Sequence, residues 1–145
     1  MYYLFCRSRD ARTATAQPKF RVEQDLEISS QYPIDLDDLG SWVMEFNRAW
    51  LEQFWERARK LYLDQELPGV VFLKAMTAQP ERRTGKIAFF AGPREDEKLM
   101  KECGRILSEK MKYFNQCGIM EYTIKKDFST VATISIPVPT QLCRR

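Results

Sequence analysis

Helix-spaced apolar residues run longest across residues 36–63, a segment that also contains all three tryptophans. At about 100° per residue, these positions form two stripes on one predicted helix. We expect the first stripe to face the core; it comprises Leu39, Val43, Phe46, Trp50, Phe54, Ala58 and Leu61. The second stripe, roughly 100° further round, comprises Met44, Leu51, Trp55 and Tyr62.

The second stripe needs a cover, because large apolar patches are seldom left to water. Another segment of the same chain, a ligand groove or a subunit interface would each provide one. A domain with two helices and one sheet has little area left for this stripe. We therefore predict a homodimer in which Met44, Leu51, Trp55 and Tyr62 meet the same patch of a second copy.

The acidic residues that precede this helix, Asp35, Asp37 and Asp38, are interpreted as capping groups rather than metal ligands.

Alternation of apolar and charged residues, broken only by Gln24, marks residues 19–28 as a strand. Phe20, Val22, Leu26 and Ile28 lie on one side of it, and the charged residues lie on the other. Such alternation is typical of an antiparallel sheet with one buried face and one solvated face. We expect the charged side to face water.

The remaining segments complete an α+β pattern. An apolar run at residues 2–7 predicts a first strand, residues 69–77 and 86–91 predict a hairpin, and residues 119–125 and 130–136 predict two last strands. Pro93 suits the start of a second helix. The order β-β-α-β-β-α-β-β predicts two helices on one face of a mostly antiparallel sheet, with a ferredoxin-like arrangement as the alternative. The length favours a single domain over residues 1–145.

Composition narrows the possible chemistry. The chain has no histidine, which excludes Ser-His and Cys-His catalytic pairs and histidine metal sites. Its four cysteines form no C-x-x-C pair, so we expect free thiols, and we predict no catalytic residues, no metal and no cofactor. The apolar N-terminal residues precede the arginines, an order that does not fit a secretory signal, and no apolar run is long enough for a membrane span. We therefore expect a non-enzymatic cytoplasmic protein.

Residues 86–138 resemble part of a known family. A strand ending in Phe90-Ala91-Gly92-Pro93 precedes an amphipathic helix, then Gly118, and a last strand ends in ISIPV. This pattern resembles the C-terminal half of the gyrase-inhibitor-like ligand-binding domains of multidrug-responsive regulators. The resemblance implies a groove that binds amphipathic or cationic organic molecules through aromatic residues and an acid, for which Glu121 is the candidate. We predict that the groove is lined by Trp50, Phe54, Phe72, Phe89, Glu121 and Tyr122.

Two other functions fit the same sequence. Basic residues flank two predicted loops, and basic loops near aromatic strands are typical of single-strand nucleic-acid binders. The residues for that alternative are Arg9, Arg12, Arg82, Arg83 and Lys86. The small net charge of +3 does not by itself indicate nucleic acid. A protein-interaction or inhibitor module encoded by a mobile element is the third possibility.

Overall fold

Six antiparallel strands form the centre of the computed structural model, which describes residues 19–33, 35–77, 82–126 and 129–140. The strands are β1 (Lys19–Glu23), β2 (Gly40–Asn47), β3 (Val70–Thr77), β4 (Thr84–Ala91), β5 (Ile119–Lys126) and β6 (Ser129–Pro137). They lie in the order β1-β3-β4-β2-β5-β6. β2 and β4 are therefore the two central strands.

The helices pack on one face of this sheet. They are α1 (Leu26–Ser29), α2 (Arg48–Leu63) and α3 (Glu97–Met111), with a 3-10 turn at Leu36–Asp38. α2 packs on β2, β3 and β4, and α3 packs on β6 and α2. The predicted α+β class, with helices packed on a mostly antiparallel sheet, is confirmed. The strand predicted at residues 2–7 lies outside the described residues.

The predicted ferredoxin-like alternative also has a counterpart in this sheet. The elements from β2 to β5 follow the order β-α-β-β-α-β, and β4 lies between β2 and β3. β1 then joins the edge beside β3, and β6 joins the edge beside β5. This β-α-β-β-α-β order begins at β2, a strand within the segment that the sequence pattern assigned to a helix.

The single helix predicted over residues 36–63 is wrong in its first half. Residues Gly40–Asn47 form β2, and α2 begins at Arg48, where the Asn47 side chain accepts a hydrogen bond from the Ala49 amide at 2.9 Å. The apolar residues of β2 also satisfy a two-residue repeat, and short apolar runs fit both kinds of element. Asp37 and Asp38 consequently lie in the 3-10 turn before β2 and cap no long helix.

The second stripe of the predicted helix is buried throughout, whereas the first stripe is divided between the core and the surface. α2 buries Leu51, Trp55, Ala58 and Tyr62, whereas the side chain of Trp50 is 55% exposed. The Tyr62 hydroxyl donates to the Val71 carbonyl at 2.7 Å and accepts from the Asp25 amide at 2.9 Å. Other segments of the same chain thus cover the second stripe.

That burial bears directly on the predicted dimer. The four residues assigned to its contact, Met44, Leu51, Trp55 and Tyr62, are all buried in the core of one chain. A second copy cannot reach these side chains without disrupting that core. The prediction that they form a subunit contact is therefore wrong.

Strand β1 presents the opposite side to water from the one predicted. Its side chains Arg21 and Glu23 face α2, where they form ion pairs with Glu52 at 2.8 Å and Arg59 at 2.7 Å. Phe20 and Val22 are more than half exposed on the other face. β1 lies at the edge of the sheet, beside the polar side of α2, and ion pairing with that side determines its orientation.

Trp42 is the centre of the core. Its indole is fully buried and packs on Gly104 in α3, where an added Cβ would lie 2.5 Å from the indole Cζ2. Tyr122 lies beside it, with ring centroids 5.3 Å apart. The Tyr122 hydroxyl donates to the Ala91 carbonyl at 2.5 Å and accepts from the Gly40 amide at 2.9 Å, and burial raises its pKa to about 12. These bonds join the middle of β5 to the first residue of β2 and the last residue of β4.

We expect Gly104→Ala to destabilise the protein. Alanine gains about 1 kcal/mol in helix propensity, but overpacking against a buried indole costs about 1–3 kcal/mol. Urea unfolding should show a net loss of up to about 2 kcal/mol. The exposed Lys98→Ala on the same helix is the control and should change stability by less than about 0.5 kcal/mol. A stabilised Gly104→Ala protein would contradict the packing of Trp42 on this helix.

Two substitutions on α2 test which of its faces is buried. Trp55→Glu places an unpaired charge in the core, which costs several kcal/mol of about 5–15 kcal/mol total stability. We expect circular dichroism to show an unfolded or severely destabilised protein. Trp50→Glu, on the exposed side, should fold with nearly unchanged stability. A folded and stable Trp55→Glu protein would contradict the burial of this face of α2.

A candidate ligand cleft beside strand β2

The cleft arises where β2 separates from β5. The two strands pair only at Ser41, Trp42 and Val43. Beyond that point β2 no longer pairs with β5, and the Glu45 amide donates to the Tyr113 hydroxyl at 3.2 Å. The segment 112–117, between α3 and β5, occupies the space that β5 would fill if it extended further toward its N-terminus. A concave site therefore forms between this segment, the end of β2 and the start of α2.

Hydrogen bonds within the segment 112–117 hold it in place. Lys112 ends α3 in the left-handed conformation, with a φ of 55°. The Asn115 side chain accepts from the Gly118 amide at 2.7 Å and donates to the Ile119 carbonyl at 2.7 Å. Gly118 has a φ of 76°, which glycine adopts without strain. This wall of the cleft is consequently formed before any ligand arrives.

Aromatic side chains provide most of the cleft surface. Phe46 stacks on Phe54, with centroids 4.4 Å apart and planes at 13°, and meets the edge of Tyr113 at 5.5 Å. Trp50 and Phe114 stand at the opening with exposed rings. We call this site, of about 560 Å³, the aromatic cleft; it is lined by Glu45, Phe46, Asn47, Trp50, Phe54, Thr84, Lys112, Tyr113, Phe114, Asn115, Gln116 and Cys117.

The cleft contains one carboxylate and one ammonium group among its lining side chains. The exposed Glu45 carboxylate accepts a hydrogen bond from the Thr84 hydroxyl at 2.7 Å. Lys112 contributes the positive charge at the other wall. The Arg57 guanidinium lies 5.2 Å from the centroid of the Phe54 ring, which shows that this aromatic cluster already accommodates a cation. Aromatic rings beside a carboxylate are suited to a positively charged organic group.

The six ligand residues predicted from sequence fall in three places. Trp50 and Phe54 line the aromatic cleft. Phe72 lies on the opposite face of the sheet, which we call the helix-free face because none of the described helices packs on it. There Phe72 stacks on Phe90 at 4.5 Å, and Glu121 is exposed on the same face. Phe89 and Tyr122 are fully buried on the helix side and have no surface to offer a ligand. The structure therefore does not bring the six together.

Sequence reasoning missed the cleft residues Glu45, Tyr113 and Phe114. Glu45 lies within the helix that the sequence predicted over residues 36–63, because the strand β2 was not recognised. Tyr113 and Phe114 follow the end of α3 and are 68 and 69 positions away from Glu45 in the chain. Only the pairing of β2 with β5 brings them close, and no local pattern reports that pairing.

The basic residues proposed for nucleic acid lie elsewhere. Arg82 and Arg83 are exposed before β4, and Lys86 is exposed on the helix-free face of that strand. Arg9 and Arg12 lie outside the described residues. Nucleic-acid binding through these side chains stays a prediction.

Within residues 19–33, 35–77, 82–126 and 129–140, no group of three metal-ligating side chains could hold an ion. No described helix is both long enough and apolar enough to cross a membrane.

Comparison with known proteins identifies similar folds. The sequence matches no protein-family model and no curated protein. A crystal structure of Ascaris suum eIF4E-3 with m7G cap matches with a TM-score of 0.56 at 12% identity, over 69% of this chain and 58% of that one. The complex of Ascaris suum eIF4E-3 with m2,2,7G cap matches with a TM-score of 0.57 at 15% identity, over 68% and 58%. This chain thus spans less than two-thirds of the length of these proteins, and the similarity establishes a common fold.

Proposed function

We propose that the protein is a non-enzymatic binding domain that takes a small, positively charged aromatic compound in the aromatic cleft. One observation carries the proposal. The half-exposed indole of Trp50 and the Glu45 carboxylate border the same preformed cleft of about 560 Å³. That volume lies within the range of small-molecule sites, which are mostly apolar with a few fixed polar groups.

The geometry supports a cationic ligand for two reasons. A cation over an indole or phenyl face gains about 0.5–2 kcal/mol, and the Trp50 and Phe114 rings stand at the opening. The Glu45 carboxylate, oriented by Thr84, adds an opposite charge. The hydrogen bonds of Asn115 already hold the far wall in place. Ligand binding therefore has to order little of the protein, and the entropic cost of binding is small.

The similar structures suggest a first probe. They are complexes with methylated guanine caps. A 7-methylguanine base is flat, aromatic and positively charged, which is the chemistry that the aromatic cleft favours. The same base without the methyl group is neutral, so a matched pair of nucleotides isolates the contribution of the charge.

Tryptophan fluorescence provides the test. Trp42 and Trp55 are buried, so quenching by a ligand in the cleft should report on Trp50. We expect 7-methyl-GMP to quench saturably and GMP to bind at least about tenfold more weakly, since cation–π contact and charge pairing together exceed about 1.4 kcal/mol. Equal affinity for the two nucleotides would contradict the proposal, and so would a failure of both to bind.

A matched pair of carboxylates locates the site. Glu45→Gln should weaken the binding of 7-methyl-GMP by about tenfold, because hydrogen bonds to charged groups contribute about 1.5–3 kcal/mol. Glu121→Gln changes an exposed carboxylate on the helix-free face and should leave the affinity unchanged. The ligand should also slow alkylation of Cys117, an exposed free thiol in the cleft lining. If Glu121→Gln weakened binding and Glu45→Gln did not, the site would lie on the other face.

A further inference from the structure

A second cavity lies at the other end of β2 from the aromatic cleft. Four parts of the chain line it: residues 31–33, 68–69, 92–93 and 99–106, the last of these within α3. Its volume is about 430 Å³. We call it the apolar pocket, after the side chains that form most of its wall: Tyr32, Pro33, Pro68, Pro93, Leu99 and Ile106.

The backbone keeps this pocket from filling with side chains. Gly69 has a φ of +87°, which disfavours any larger residue there, and it faces the Cys103 side chain. An added Cβ on Gly92 would lie 2.6 Å from the Asp38 carbonyl oxygen. The Tyr32 hydroxyl accepts from the Gly69 amide at 3.1 Å, which fixes its ring as part of the wall. Leu99 remains 45% exposed at the rim.

The polar groups of the pocket are already paired within the chain. Gln31 donates to the Gln65 side chain at 2.9 Å. Glu102 accepts hydrogen bonds from Arg105 at 2.5 and 3.2 Å, and this guanidinium holds the pKa of the Glu102 carboxyl below its usual value. Burial raises the pKa of the Cys103 thiol to about 12, so the pocket floor is uncharged at neutral pH. The pocket thus offers no uncompensated charge to a ligand.

We infer that the apolar pocket is a second binding site, which takes a neutral, largely apolar molecule of two or three rings. A buried apolar cavity of about 150 Å³ accommodates benzene, so about 430 Å³ admits a ring system of this size. A charged compound would lose its hydration without gaining a partner. The site is independent of the aromatic cleft, since the two have no lining residue in common.

The neutral dye N-phenyl-1-naphthylamine is a suitable probe, because its fluorescence rises in apolar surroundings. With the full chain we expect a saturable rise that fits one site. Leu99→Ser should weaken the binding of the dye by about tenfold, since it removes an apolar side chain from the rim. Leu99 is partly exposed, so this substitution leaves the core intact.

Two variants serve as controls. Leu63→Ser removes a leucine of similar exposure from α2, outside the pocket, and should change the dye affinity by less than about twofold. Trp50→Ala alters the aromatic cleft and should leave the dye unaffected. An unsaturable signal, equal effects of the two leucine variants, or loss of binding in Trp50→Ala would each overturn the inference. Because this probe and these variants differ from those for the aromatic cleft, either site can fail without the other.

Discussion

The burial of Trp42 is the interaction on which the rest of the structure depends. A full indole fits between the sheet and α3 only because residue 104 has no side chain. Tyr122 packs on the indole and fastens the first residue of β2 to the last residue of β4. With these contacts made, β2 lies at the centre of the sheet between β4 and β5, and α2 begins directly after it at Arg48.

Both cavities follow from the position of β2. At its C-terminal end, β2 continues past its pairing with β5, and the exposed strand edge is met by Tyr113 and its neighbours to form the aromatic cleft. At its N-terminal end, the turns that follow β4 and precede β3 leave backbone and proline rings around the apolar pocket. The first site has charged side chains and the second has its charges paired internally. One fold therefore offers two sites with different electrostatic preferences.

Parts of this structure could be predicted because local signals agree. The hairpin of β3 and β4, the helix α3 and the last two strands are bounded by glycine, proline or a turn, and each has one clear periodicity. β2 was missed because Trp42, Met44 and Phe46 alternate as in a strand while their neighbours also fit a helix. The orientation of β1 was missed because alternation identifies two faces but does not say which one meets a helix. There, ion pairs of Arg21 and Glu23 with α2 decide the outcome.

The candidate site was predictable only in part, for a related reason. Trp50 and Phe54 were recognised as aromatic candidates, but their partners Glu45 and Tyr113 are brought to them by tertiary structure. Phe89 and Tyr122 were chosen as aromatic strand residues, and alternation alone could not tell that they point into the core.

Nuclear Overhauser effects from Val43 test the central claim most directly. In the structure Val43 lies opposite Ala88 on one neighbouring strand and opposite Glu121 on the other. The account predicts cross-strand backbone contacts from Val43 to both residues, and no helical contacts between positions three or four apart within Gly40–Asn47. A continuous series of helical contacts from residue 40 into α2, without the contacts to Ala88 and Glu121, would contradict it.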